Sequence, residues 1–419
     1  MAAYVDSTTL KYSSFQGGRE GGIMSITIEY HCTEFLDFSS LAHRLEVIRK
    51  EPLPIFETVS SDLSAIEKAA KPYRKYKDIV VIGNGGSITS VMAYAGCLPT
   101  SRRLHIVDSE DPDFLSSLKR KLTKKDTLVI AVSKSGNTVQ VIEELLFFKE
   151  YDKVVVTEKT GSLYQIAQKA GIPAILHEPI GGRYSGRTAS AFFPAAVLGL
   201  DIKAIDKGAI SMYKKCQPKV ILDKNPALKF SSVLFLLDWA AHGIVFFASY
   251  SPKLHSFFPL VRQLIHESSG KDGKGQFITG GQGPELQHHT GQRLFGGKKD
   301  VMIVFQCVKS MHEQKLKVHV PPKLAKIPVR DGLLKDINSL SYQNAITYEF
   351  IGAEQRSLKE KIPHAVITID KVEARGVGEL LGFYHYVAVY SSLLRGVDPY
   401  DQPDVEWSKE LSYQMRKKR

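Results

Sequence analysis

The sequence predicts an α/β protein of two domains, each a parallel-rich sheet flanked by helices, followed by a helical C-terminal tail. Three observations carry this. From residue 78 onward, short β-branched apolar runs alternate with stretches of helical character, the pattern of parallel strands buried on both faces. A second series of such runs begins near residue 300. The 419 residues also exceed one ordinary core, at roughly one domain per ~150 residues.

Taken in order, the opening MAAYVDSTTLKYSS lacks a basic region followed by an apolar core, so no secretory signal is expected. DIVVIG (78–83), LHIVD (104–108), TLVIAVS (127–133), KVVVT (153–157) and PAILH (173–177) are the strands of a first domain over about residues 40–200. Asn225-Pro226 is a helix-start signal, and the text after it reads as helical through Glu267. Within it, VLFLLDWAAHGIVFFA (233–248) falls short of the ~20 residues of a membrane span. Asp238 and His242 interrupt it as well, so it reads as a buried helix. GKDGKGQFITGGQGPELQHHTG implies a loop of about twelve residues. DVMIVFQ (300–306), LKVHV (316–320) and HAVITI (364–369) read as strands of a second domain over residues 225–395. Helix is expected from about residue 376, leading into a tail at 396–419.

The formal charge of +12 favours anionic ligands, but lysines and arginines are interspersed with acids along the chain. The one dense run, Arg416-Lys417-Lys418-Arg419, reads as a solvated tail. No basic helix with interleaved aromatics stands out, so neither nucleic acid nor membrane is an expected partner. Cys32, Cys97, Cys216 and Cys307 lie far apart without a CxxC pair, which fits reduced thiols in a cytoplasmic setting and indicates neither a disulfide framework nor a zinc site.

Chemistry concentrates where strands give way to helices. In AVSKSGNTVQ (131–140) a buried strand ends at Ser133 and a helix begins near Thr138. Unpaired N–H groups of a first helical turn, a positive helix end and the surrounding hydroxyls suit a phosphate there. VVIGNGGSITS repeats the arrangement with Gly83, Gly85, Gly86 and Ser87. It is not GxGxxG and no GKS or GKT follows, so neither a dinucleotide site nor a P-loop is supported. Two such loops at the carboxyl ends of one sheet can frame a single phosphorylated ligand.

Together with PIGGRYS (179–185), YSPKL (250–254), QLIHESSGK (263–271), QHHTGQ (287–292) and DPYDQPDVEWSK (398–409), these loops resemble the phosphoglucose isomerase family of the sugar isomerase superfamily. The resemblance spans residues 80–409 and implies that both domains are of sugar-isomerase type, with the tail folding back over the active site. It implies reversible isomerisation of D-glucose 6-phosphate and D-fructose 6-phosphate in glycolysis and gluconeogenesis, by ring opening and a cis-enediol(ate). Glu267 would be the base, Arg183 would face the intermediate, and His288 and Lys409 would open the ring. Gln402 would touch substrate, while Gly86, Ser87, Ser133, Lys134, Ser135 and Thr138 would hold the phosphate. No metal and no cofactor is expected, and a cytoplasmic homodimer is implied.

Read without the family, Glu267 is a carboxylate at a helix end and the choice between His288 and His289 is open. The chain also departs from the family pattern. Asn137 and Gln140 stand where threonine and glutamate are usual, Asn84 where isoleucine is, and Arg187 where a small or apolar residue is. Leu260-Val261 occupies the region of a common tryptophan. Two other readings are a dual-specificity isomerase that also takes mannose 6-phosphate, and a sugar-phosphate sensor without chemistry.

Overall fold

The computed structural model describes residues 26–418. The opening segment read for a targeting signal, and Arg419, lie outside the described residues.

Ten strands make two five-stranded sheets: β1 (Ile26–His31), β2 (Asp78–Ile82), β3 (Arg103–Val107), β4 (Thr127–Val132), β5 (Asp152–Thr157), β6 (Ala174–Leu176), β7 (Ile244–Ser249), β8 (Phe277–Gln282), β9 (Val301–Val308) and β10 (His364–Ile369). The first sheet has the order β3-β2-β4-β5-β6 and is parallel throughout. The second has the order β1-β10-β9-β7-β8, parallel except for β1, which runs antiparallel along β10.

All five strands expected in the first domain form. The central β2 and β4 are buried along their whole length, as continuous apolar runs require. Burial on both faces fails only towards the edges, where β3 and β6 remain partly accessible.

The second sheet corrects three expectations. The stretch 233–248 is helical only to Trp239 and then turns through Ala241, at φ +64°, into β7. An apolar run without alternation is equally compatible with a buried helix and a buried strand, so its periodicity carried no decision. The Gly-rich segment contains β8, which pairs with β7 from Ile244↔Phe277 to Ser249↔Gln282. Only Ile278 of β8 is buried, so no apolar pattern marked it. LKVHV joins neither sheet: Lys317 makes an isolated bridge to Ser341, and Val320 N–H is answered by the Asn338 side chain at 2.9 Å. β1 lies outside both expected domain spans, although it belongs to the second sheet.

Around the sheets stand α1 (Thr89–Cys97), α2 (Pro112–Lys121), α3 (Val139–Phe147), α4 (Ala189–Leu198), α5 (Ile202–Cys216), α6 (Pro226–Trp239), α7 (Phe258–Ser269), α8 (Tyr342–Lys359), α9 (Ala374–Arg395) and α10 (Glu406–Lys417). Asn225 caps α6, its side chain accepting from Leu228 N–H at 2.9 Å, with Pro226 at the first helical position. The 22-residue α9 is almost wholly buried and packs on α5, α6 and α7. Apolar residues surround it on all sides, which suits the interior rather than a surface. It joins Ile79 and Ile130 of the first sheet to Phe247 and Ile367 of the second in one continuous core. Among the described residues, no helix is long and apolar enough to cross a membrane.

The α5–α9 crossing is close because two glycines face it. A Cβ on Gly378 would lie 1.9 Å from the Ile205 carbonyl oxygen, and one on Gly208 would lie 2.0 Å from that of Arg375. Both obstacles are helix backbone, which cannot step aside as a side chain can. Gly378→Ala should therefore destabilise the fold by about 3 kcal/mol or more. A urea denaturation midpoint equal to that of the parent protein would show that the helices separate freely.

Candidate active site

The site grows from the carboxyl ends of the neighbouring strands β2 and β4. After β2 the chain makes a short 3-10 turn, Gly85–Ser87, before α1. Gly86 is glycine for a steric reason: a Cβ there would lie 2.1 Å from the Gly182 carbonyl carbon and 2.4 Å from Arg183 N. The two backbones are thus in direct contact, and Ser185 Oγ donates to both Gly86 O (3.3 Å) and Gly182 O (2.6 Å). Ser87 is half-buried on the same turn.

After β4, Ser133 is buried and its hydroxyl meets that of Thr138 at 3.0 Å. Thr138 is the N-cap of α3 but makes no side-chain cap, so the first amides of that helix are left for another acceptor. Lys134 is half-buried and Ser135 exposed. Asn137, which replaces the family threonine, spends its Oδ1 on Ser162, accepting from its N–H at 3.0 Å and its hydroxyl at 3.1 Å. It fastens the loop to the start of the next helix. Gln140 likewise turns away, donating to Glu144 at 3.1 Å.

Arg183 is the hub. It is 2% exposed, and its guanidinium is answered on every nitrogen. Nε donates to Ser268 Oγ (2.8 Å), Nη1 to Gln402 Oε1 (2.7 Å) and Glu267 Oε2 (3.3 Å), and Nη2 to the carbonyls of Pro399 (2.6 Å) and Asp401 (3.0 Å). Its plane lies 5.2 Å from the centre of the Tyr184 ring. The Tyr184 hydroxyl, whose pKa burial pushes up, bonds Ser268 Oγ (2.9 Å) and Pro399 O (3.0 Å).

Glu267 stands near the end of α7 with its side chain 28% exposed. One turn earlier, Gln263 donates to Glu267 Oε1 at 2.8 Å and accepts from Thr89 Oγ1 of α1 at 2.8 Å. Each carboxylate oxygen therefore has its own donor, and the group is oriented rather than free to rotate. Just past the end of α7, buried Lys271 donates to Asp401 O at 3.0 Å and also to Asp398 O and the Asp401 carboxylate. Gln263 and Glu267 share one face of α7 at i and i+4, a spacing visible in QLIHESSGK.

The tail accordingly folds back in two parts. Residues 398–402 lie over Arg183 and Lys271, and α10 then runs to another face, where Arg416 pairs with Glu143 and Glu110, both at 2.9 Å. Arg416 is docked, so the reading of 416–419 as a solvated run is corrected at that position. Lys409 is 63% exposed and pairs with Glu406 at 2.8 Å, making no bond to Glu267 or Arg183.

His288 ends the short turn Glu285–His288 and is exposed. Its neighbour His289 is bonded to Glu285 (2.9 Å) and Thr290 (2.6 Å), whereas the His288 ring forms no hydrogen bond among the described residues. Arg187 is buried, paired with Asp206 at 2.7 Å and bonded to Phe56 O at 3.0 Å, so this departure ties the 182–187 turn to α5. The structure thus brings Arg183, Glu267 and Gln402 together beside Gly86, and leaves His288 and Lys409 apart from them. Gln263, Ser268, Lys271, Tyr184 and Thr89 complete the site without having been singled out by sequence.

A family model described as phosphoglucose isomerase matches residues 56–419. A glucose-6-phosphate isomerase of Methanocaldococcus jannaschii is 30% identical over 359 residues, covering 83% of this chain and 86% of that protein. Among solved structures, a hypothetical protein of Thermus thermophilus superposes with a TM-score of 0.80 at 23% identity, over 93% of this chain and 99% of its own. A glucose-6-phosphate isomerase of Chlamydia trachomatis gives 0.76 at 20% identity, over 94% and 89%. At these identities the two structures speak to the fold.

Because Arg183 holds three acceptors of the 399–402 segment, Arg183→Leu should release it. Chymotryptic cleavage after Tyr400 is then expected to accelerate at least about tenfold, a loss of about 1.4 kcal/mol or more in local protection. Cleavage at the parent rate would mean that α10 alone secures the tail.

Proposed function

The chain belongs to the phosphoglucose isomerase family, and on that premise we propose that it is an aldose–ketose isomerase interconverting D-glucose 6-phosphate and D-fructose 6-phosphate through a cis-enediol(ate). The observation that supports this most is the Arg183–Glu267 pair, fixed beside a backbone contact with one of two adjacent strand-end anion loops.

In this reading the phosphate lies against the Gly86–Ser87 turn and the 133–138 loop, gripped by hydroxyls, Lys134 and the amides opening α3. The anchored sugar presents C1 and C2 to Glu267, which takes the proton from one carbon and returns it to the other. Geometry then organises the charge. When Glu267 accepts the proton, negative charge leaves the carboxylate and appears on the enediolate oxygens. Arg183 Nη1, 3.3 Å from Glu267 Oε2, then has the new anion rather than the neutralised carboxyl as its stronger acceptor. Gln402 and the tail carbonyls keep the guanidinium plane fixed during that exchange.

Ring opening falls to His288, whose imidazole can both donate and accept a proton, and to Lys409. Neither touches Glu267 within the chain. An exposed His288 is available to a neighbouring subunit, which is consistent with a homodimer whose site lies near the interface. The setting would be cytoplasmic glycolysis or gluconeogenesis.

A coupled assay for glucose 6-phosphate formed from fructose 6-phosphate tests the reading. The parent protein should turn over, and Glu267→Gln should lower kcat by about a thousandfold, at the scale of a lost acid–base group. The same variant should still be thermally stabilised by fructose 6-phosphate. Undiminished turnover would remove Glu267 from the reaction, and stabilisation of the parent protein without turnover would favour a sensor.

A further inference from the structure

At the edge of the second sheet farthest from β8 lies a cluster that the isomerisation does not use. His31, the last residue of β1, is paired across the antiparallel ladder with His364, the first residue of β10. Cross-strand partners project to the same face. The two imidazoles accordingly stack with centroids 4.9 Å apart and planes inclined by 19°. Glu354 of α8 completes the group, and one ligand atom from each of the three residues lies within 4.8 Å of the others. Glu29, two residues before His31 on the same face of β1, places a carboxylate oxygen 3.9 Å from His31 Nε2, the same distance as Glu354 Oε1.

The state of these groups identifies what they lack. His364 is fully buried, and its Nδ1 lies 2.8 Å from the Ile362 carbonyl, so Nδ1 carries the proton and Nε2 presents a lone pair. Burial holds its pKa below the ordinary value, in keeping with a neutral ring. Nε2 of His364 and Nε2 of His31 are both inaccessible to solvent, and neither makes a hydrogen bond among the described residues. Glu354 is 8% exposed, and burial raises its carboxyl above the usual range, an effect outweighing the opposing influence of His31. Two buried imidazole nitrogens and a carboxylate therefore converge with no hydrogen-bond donor supplied to the histidine nitrogens. An imidazole whose other N–H is held by a backbone carbonyl is also the usual arrangement of a metal-ligating histidine.

The geometry points to a divalent-cation site of the zinc class formed by His31, His364 and Glu354, with Glu29 or solvent in the fourth position. Ligands at ~2.0–2.1 Å from zinc stand about 3.4 Å apart, so side-chain rotation of roughly 1 Å closes the present arrangement. The residues whose ligand atoms converge are His31, Glu354 and His364, and Cys307 is not among them. The ion would clamp β1, the one antiparallel strand of the sheet, to β10 and α8. It is a structural clamp, separate from the chemistry at Glu267.

The test uses full-length protein stripped with chelator and titrated calorimetrically with Zn²⁺. One equivalent per chain should bind at micromolar Kd or tighter. At about a hundredfold excess over Kd, the melting temperature should rise by about 3 °C. His31→Gln and Glu354→Gln should each weaken binding at least tenfold and abolish the thermal shift, while leaving the melting temperature of stripped protein close to that of the parent. Substituted Co²⁺ should show ligand-field bands without thiolate charge transfer. The proposal is overturned if no stoichiometric binding occurs, if cobalt reports thiolate ligation, or if both variants bind as the parent does, which would place the ion on a surface group such as His288, His289 and Glu285.

Discussion

A buried guanidinium has to find an acceptor for each of its donors, because an unanswered charged N–H in a low-dielectric interior costs several kcal/mol. Arg183 satisfies that demand with partners drawn from two distant parts of the chain: Ser268 and Glu267 on α7, and, in the tail, the carbonyls of Pro399 and Asp401 with the Gln402 side chain. Satisfying one side chain thereby fixes the carboxylate of Glu267, the course of the tail and the 182–187 turn together. Lys271 repeats the device just past the end of α7, with the tail again supplying acceptors. The tail is thus part of the site's wall.

The frame that allows this is the core around α9. Because that helix is apolar on all sides and is approached closely by α5, the two sheets are held in one packed body. Gly86 imposes a second tight constraint, bringing the β2 loop against the backbone of Gly182 and Arg183. A strand-end loop of one sheet and the Glu267 carboxylate on a helix of the other half thereby meet at Arg183.

The first sheet was legible because its strands are continuous β-branched runs bounded by turns, a signal that survives without alternation. β7 was hidden inside an apolar stretch that suits helix and strand alike, and β8 among glycines with one buried side chain. β1 was missed although ITIEYH carries a readable pattern: Ile26, Ile28 and Tyr30 alternate with the more exposed Thr27 and Glu29. At the site, the motifs led to Arg183, Glu267 and Gln402 through family resemblance, whereas Gln263 could have been found by helical spacing from Glu267. Ser268 and Tyr184 were out of reach, since their importance comes from tertiary contacts, of Ser268 with Arg183 and of Tyr184 with Ser268 and Pro399, that no local pattern encodes. The pairing of His31 with His364 is of the same kind, joining residues more than 300 positions apart.

The claim on which the account rests is that the planar fork of Arg183, and not its charge alone, organises the site. The most direct measurement is kcat and KM of Arg183→Lys for fructose 6-phosphate in the coupled assay. Lysine keeps the charge but cannot reach Ser268, Gln402 and the tail carbonyls from one plane. The account predicts kcat lower by about a hundredfold, the scale of a lost transition-state donor, with KM within a few-fold of the parent. A kcat equal to that of the parent protein would contradict it.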